Sequence, residues 1–174
     1  MKWVLIILGA VVALVVLMTV IGAFVAREHT ATSTITLRQP ADSVWKVVRD
    51  IGSGPTWWPA IQLAERLPDR DGHEVWRQKL SGFDVPIIVM ESSPPRKLVT
   101  QIDPTASAAF GGTWTYQLSP DSTGTRISVT EAGWISNPLF RFMSRFLFGY
   151  YGSLDKYLEA LGKRFGETVR PAHS

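Results

Sequence analysis

No cysteine occurs among the 174 residues. That excludes disulfides, thiolate nucleophiles, iron–sulfur clusters and Cys-based zinc sites. It leaves the compartment open, because a disulfide-free domain is viable on either side of a membrane. Charge is sparse too, with 18 Lys+Arg against 15 Asp+Glu. So small an excess argues against a nucleic-acid binder held by bulk positive charge. The three histidines, His29, His73 and His173, are far apart, and no His-x-x-His or carboxylate cluster has metal-ligand spacing. Gly111-Gly112 and Gly52-x-Gly54 are not set in a strand–Gly-loop–helix with a phosphate-binding pattern. No nucleophile elbow is present, although chain order alone leaves a Ser/His/Asp triad open. The expectation is a chain with no cofactor and no metal. Repeats and low-complexity tracts are absent as well.

What is present is a long apolar run. Trp3 to Ala26 contains no charged side chain. As a helix it would extend roughly 36 Å at about 1.5 Å per residue, enough to cross a hydrocarbon layer of about 30 Å with some tilt. Trp3 sits where an interfacial aromatic belongs, and Arg27 and Glu28 end the run. A cleaved signal peptide is the competing reading. It fits less well, since the run is longer than a signal's apolar region and a cut after Ala26 would put Phe24 at position −3. Residues 3–26 are therefore expected as a single-pass N-terminal anchor and 27–31 as a short linker. The α-amine and Lys2 on one side, against Arg27 offset by Glu28 on the other, slightly favour the domain outside, on a periplasmic-type face.

The remaining chain, residues 32–168 followed by a tail of 169–174, reads as α+β. Thr32 to Arg38 is rich in β-branched residues and predicts a strand. Pro40 opens a short helix over Ala41 to Arg49, and a second helical turn is expected at Thr56 to Pro59. Strands follow at Gln62–Leu67, Glu74–Leu80, Asp84–Glu91, Lys97–Ile102, Phe110–Leu118 and Thr125–Glu131, with an Asp-Gly hairpin signal at Asp71-Gly72. Asn137 is a good N-cap and Pro138 a good first helical residue. From there a 3.6-residue period to about Gly166 predicts one long amphipathic helix packed on an antiparallel sheet.

Three segments carry a resemblance: ITLRQPADSVWKVVRDIGSGPTWWPAI, GGTWTYQLSPDSTGTRISVTEAG and the closing helix. Together they are similar to the SRPBCC, or polyketide cyclase/START-like, superfamily with its Bet v 1-like helix-grip fold, over about residues 32 to 167. The resemblance implies a curved antiparallel sheet wrapped around a long C-terminal helix, with an apolar cavity between them. It implies no fixed catalytic residues. Its members bind lipids, sterols, quinones or plant metabolites, cyclise aromatic polyketides, or act as co-chaperones.

Strand alternation gives the residues expected to face that cavity. Trp114 and Tyr116 share one face, Trp76 lies on the same face as Gln78, and Glu131 follows Ile127 and Val129 inward. Trp76, Trp114 and Tyr116 are thus expected as walls, with Met143, Leu147, Tyr150 and Leu154 opposite on the helix. The bland alternative is that these residues fill a solid core. Gln78 offers a ligand hydrogen bond. Trp57 and Trp58 are expected near the mouth, as a gate or as packing under the short helices. Glu131 is the candidate catalytic residue, since a carboxylate in an apolar cavity serves as general acid or base; the alternative is a strand-end carboxylate reaching water or an Arg. Phe142 and Phe148 fall off the apolar arc, and exposed aromatics beside Arg145 suit a bilayer interface. Three functions follow. The first is a membrane-anchored module binding a lipid, isoprenoid quinone or polyketide-like ligand. The second is a cyclase/dehydrase-like enzyme using Glu131. The third is a ligand-free interaction protein at the membrane.

Overall fold

The computed structural model describes residues 2–80, 82–107 and 109–174. The apolar run forms α1 (Lys2–Ala23), a helix long and apolar enough to cross a membrane. The first strand, β1 (Glu28–Leu37), starts four residues earlier than expected. Residues 28–31, expected as linker, instead pair with the partner strand from Glu28↔Trp134 onward. Next come α2 (Ala41–Arg49), a tight 3₁₀ turn at Ile51–Thr56, β2 (Ile61–Arg70), β3 (His73–Leu80) and β4 (Phe83–Ser93). The remaining strands of the meander are β5 (Lys97–Ile102), β6 (Phe110–Asp121) and β7 (Gly124–Ile135). The second helical turn thus lies just before the expected Thr56–Pro59, because Asp50 caps it by accepting from the Ser53 amide.

All strands pair antiparallel in the order β2-β3-β4-β5-β6-β7-β1, and a short β8 (Ala172–His173) adds to the outer edge of β1. The end of the presumed tail is therefore part of the sheet. It is clamped there by Asp155, which accepts from buried Ser33 Oγ at 2.7 Å and lies 2.9 Å from His173 Nε2. Ser, Asp and His meet here in the wrong order for nucleophile activation, since the hydroxyl contacts the carboxylate and not the imidazole.

The C-terminal helix is not continuous. It divides into α3 (Pro138–Met143), a π-type turn at Ser144–Phe148, and α4 (Gly152–Arg164). Asn137 Oδ1 caps the start, accepting from the amides of Leu139 and Phe140. The break falls at Gly149, whose φ of 74° glycine adopts without the steric cost other residues incur. Periodicity carries through this point, so the sequence pattern alone conceals it. Beyond the break, Leu154, Leu158 and Leu161 are completely buried against the sheet, each contributing about 1.5–3 kcal/mol. Before it, α3 turns away and packs on the end of α1. A Cβ at Gly22 would sit 1.9 Å from the Pro138 carbonyl oxygen, so only glycine permits this approach. Arg141 Nη1 donates to the Val25 carbonyl at 2.8 Å, satisfying a carbonyl just beyond the end of α1.

Candidate functional site

Seven long strands spaced about 4.8 Å apart are much wider than one helix of about 10 Å diameter. The α4 helix packs over β1 and β7, and α2 packs over β6 and β7, which leaves the inner face of β3 to β5 without a helix over it. The space there is a cavity of about 530 Å³, bounded on the far side by the Ile51–Thr56 turn and the two tryptophans after it. Its wall is aromatic and centred on Tyr157. The Tyr157 ring meets Trp58 at 4.9 Å, Trp57 at 5.4 Å, Tyr116 at 5.5 Å and Trp114 at 5.9 Å between centroids, all in edge-to-face geometry. Burial pushes the Tyr116 hydroxyl well above its ordinary range against the opposing hydrogen bond with Thr100, and the charge of Glu131 adds to the rise. Burial does the same to Tyr157. Both phenols are therefore neutral fixtures of the wall. The indole N–H groups of Trp57 and Trp58 are buried without an acceptor among the described residues, a costly state that a polar atom brought beside them would relieve.

A second hollow, of about 230 Å³, adjoins the first and shares Ile102, Phe110, Ser144 and Ser153 with it. Its polar centre is Glu131. Cross-strand pairing sets Glu131 directly opposite Trp114, and Trp114 Nε1 donates to Glu131 Oε2 at 3.1 Å. Ser153 Oγ donates to the same oxygen at 3.4 Å. His29 Nε2 lies 3.2 Å from Oε1, and the His29 ring stacks on Tyr150 at 4.3 Å. Gly133 leaves room for this arrangement, since a Cβ there would fall 2.8 Å from His29 Cε1.

The expected site residues separate into three groups. Trp58, Gln78, Trp114 and Tyr116 line the large cavity; Glu131 and Tyr150 line the small one. Trp76, Leu154, Met143 and Leu147 line neither. Trp76 is on the inward face of β3, but the 3₁₀ turn closes over it at Gly52, and its Nε1 donates to Glu74 at 2.5 Å. Glu74 also accepts from Arg49, whose guanidinium holds the carboxyl below its usual range. Leu154 is in the solid core under the sheet. Met143 is half-buried on α3, and Leu147 is 62% exposed, because the helix breaks before either can face the sheet.

His29 was not among the expected site residues, for a definite reason. Counted as linker, it has no face. With β1 begun at Glu28, alternation aligns it with the buried Ala31, Ser33, Ile35 and Leu37. Tyr157 lies within the amphipathic helix that the 3.6-residue period predicts, but nothing in the sequence marks it as the hub of the wall.

A family profile described as "Polyketide cyclase / dehydrase and lipid transport" matches residues 28–165. Among solved structures, a START superfamily protein from Mycobacterium smegmatis superposes with a TM-score of 0.59 at 16% identity, over 80% of this chain and 97% of that one. The Zhui aromatase/cyclase from Streptomyces sp. R1128 gives 0.57 at 16% identity, over 79% and 92%. The di-domain ARO/CYC StfQ of the steffimycin biosynthetic pathway gives 0.60 at 10% identity; the match covers 82% of this chain and 52% of that one. At these identities the likeness is one of fold. No curated protein matches the chain.

Proposed function

The chain belongs to the polyketide cyclase/dehydrase and lipid transport family, and from that premise we propose that it is a membrane-tethered module that holds a hydrophobic small molecule between sheet and helix. The observation that carries this is the aromatic-walled cavity of about 530 Å³, a volume in the range of small-molecule sites. Burial of apolar ligand surface, at about 25 cal/mol per Å², would drive binding before association costs. Retention of α1 as an anchor is supported by its docking: Gly22 is buried against α3 and Arg141 holds the Val25 carbonyl. In α3 and the π-type turn that follows it, Phe140, Phe146, Leu147 and Phe148 are all more than half exposed. Tied to a membrane helix, such a patch fits a bilayer interface. Ser144 lines both cavities from within this segment, which suits a mouth facing the membrane.

The test is native mass spectrometry of the full chain released from native membranes. A stoichiometric apolar adduct is expected. Gly54 lines the cavity, and nothing lies within 4 Å of a Cβ built there, so Gly54→Phe should fill the space and abolish the adduct while the circular dichroism melt is retained. An apo mass for the wild type, with no uptake from a lipid and quinone panel, overturns the proposal. A second reading, a cyclase/dehydrase-like enzyme, is favoured by the Glu131–His29 contact, which pairs a carboxylate with an imidazole beside the cavity. It requires that Glu131→Gln remove turnover of a polyketide-type substrate while leaving binding intact.

A further inference from the structure

The two adjoining hollows differ in chemistry, and the difference selects a ligand class. Among the described residues lining either of them there is no Lys or Arg, whereas Asp50 and Glu131 contribute carboxylates. A fatty acid or a lipid phosphate would bring a second negative charge beside Glu131 with no Lys or Arg in the walls to offset it, which is unfavourable in a partly dehydrated site.

The hydrogen-bond inventory narrows the class further. A carboxylate has about four acceptor positions, two on each oxygen. Trp114 and Ser153 use those of Oε2, and His29 uses one of Oε1. One position on Oε1 is left. In the neutral tautomer whose Nε2–H donates to Glu131, His29 Nδ1 carries a lone pair and is a second acceptor. The site therefore offers acceptors, and what it lacks is a donor. Its geometry is fixed from three sides: the Tyr150 ring under His29, the Trp114 indole across the strand pair, and Gly133 behind both side chains.

We propose that the His29–Glu131 pocket is a head-group site for the hydroxyl of a neutral amphipath, an alcohol or phenol, whose apolar body occupies the adjoining aromatic cavity. This rests on the carrier reading above and names its ligand class. The hydroxyl donates to Glu131 Oε1 or His29 Nδ1, and the shared lining at Ile102, Phe110, Ser144 and Ser153 is the passage that the ligand bridges.

Three probes of nearly one shape decide the matter: 4-nonylphenol, 4-nonylanisole and 4-nonylbenzoate. Each is titrated against the full chain in dodecyl maltoside, read by the emission of the cavity tryptophans. The phenol is expected to bind about tenfold tighter than the methyl ether, as one hydrogen bond to a charged group allows, with the benzoate weakest. Glu131→Gln should weaken the phenol about tenfold and strengthen the benzoate, shifts of opposite sign that general damage to the fold would not produce. His29→Phe keeps a ring on Tyr150 and should weaken the phenol alone; it decides the matter if Glu131→Gln fails to fold. Equal binding of all three, a preference for the benzoate, or an unchanged ranking in both variants overturns the head-group site while leaving the carrier reading standing. Binding of none of the three overturns both.

Discussion

Residues 138–148 and 152–164 both carry apolar side chains at one helical period and are adjacent in the chain, yet those side chains meet opposite environments. In α4 the leucines at 154, 158 and 161 are completely buried against the sheet. In the preceding segment Phe140, Phe146, Leu147 and Phe148 project outward, and its main contacts with other elements are with α1. Hydrophobic character shows that a segment will be buried in something. Whether that something is a sheet, a membrane or another helix is set by where the chain turns, and here the turn is Gly149.

The contrast can be broken at its buried end with the largest effect. Leu158→Ala should cost about 2–5 kcal/mol, because it removes most of a completely buried side chain and leaves a void in the core; thermal or denaturant unfolding of the full chain in detergent measures it. An effect below about 1 kcal/mol would mean that α4 is not the main support of the sheet. Next in size is the junction. Gly22→Val places side-chain atoms inside the Pro138 backbone and should cost about 1–3 kcal/mol of docking. Amide exchange is expected to rise across 138–148 and to stay slow across 152–164. Equal loss in both would show that the two segments are a single unit.

The Arg49–Glu74 pair lies outside both segments and tests whether the frame of the cavity is independent of them. The Glu74 carboxyl is held below its ordinary value of 4.5 by Arg49. Its contribution is therefore full above pH 4.5 and is lost as pH falls through the lowered folded-state value. Glu74→Gln should be less stable than the wild type by about 1–2 kcal/mol near neutrality, and the two melting curves should converge in acid. A gap that persists at low pH would assign the loss to packing. Smallest of all is Phe148→Ser. Being 67% exposed, Phe148 should contribute within about 0.5 kcal/mol to the stability of the fold. In nanodiscs, however, the change should weaken ligand exchange with the bilayer. The cysteine-free chain allows a single environment-sensitive label through Phe148→Cys to report whether the position meets lipid; a fully aqueous emission would remove it from the interface.

Much of the candidate site was legible in the sequence, because strand alternation is a local rule. Trp114, Tyr116 and Gln78 on the inward face, and Glu131 across from Trp114, all follow from a period of two once the strands are placed. What failed to be legible depended on element ends. A strand begun at Thr32 leaves His29 without an orientation, and a helix continued through Gly149 places Leu147 and Met143 on a wall they do not form. Trp76 failed differently, since its face was right and a turn from elsewhere in the chain closed over it.

By itself the sequence determined the apolar N-terminal helix, the antiparallel α+β fold and the inward face of each central strand. Each follows from side-chain chemistry repeated at a fixed period along a few neighbouring residues. Only the tertiary structure decided that His29 meets Glu131 across 102 positions of chain, that Tyr157 gathers four aromatic rings, and that α3 leaves the sheet for α1. Those outcomes depend on how wide the sheet is, where one helix can lie on it, and what room is left over. They are relations between distant segments, and no local period encodes them.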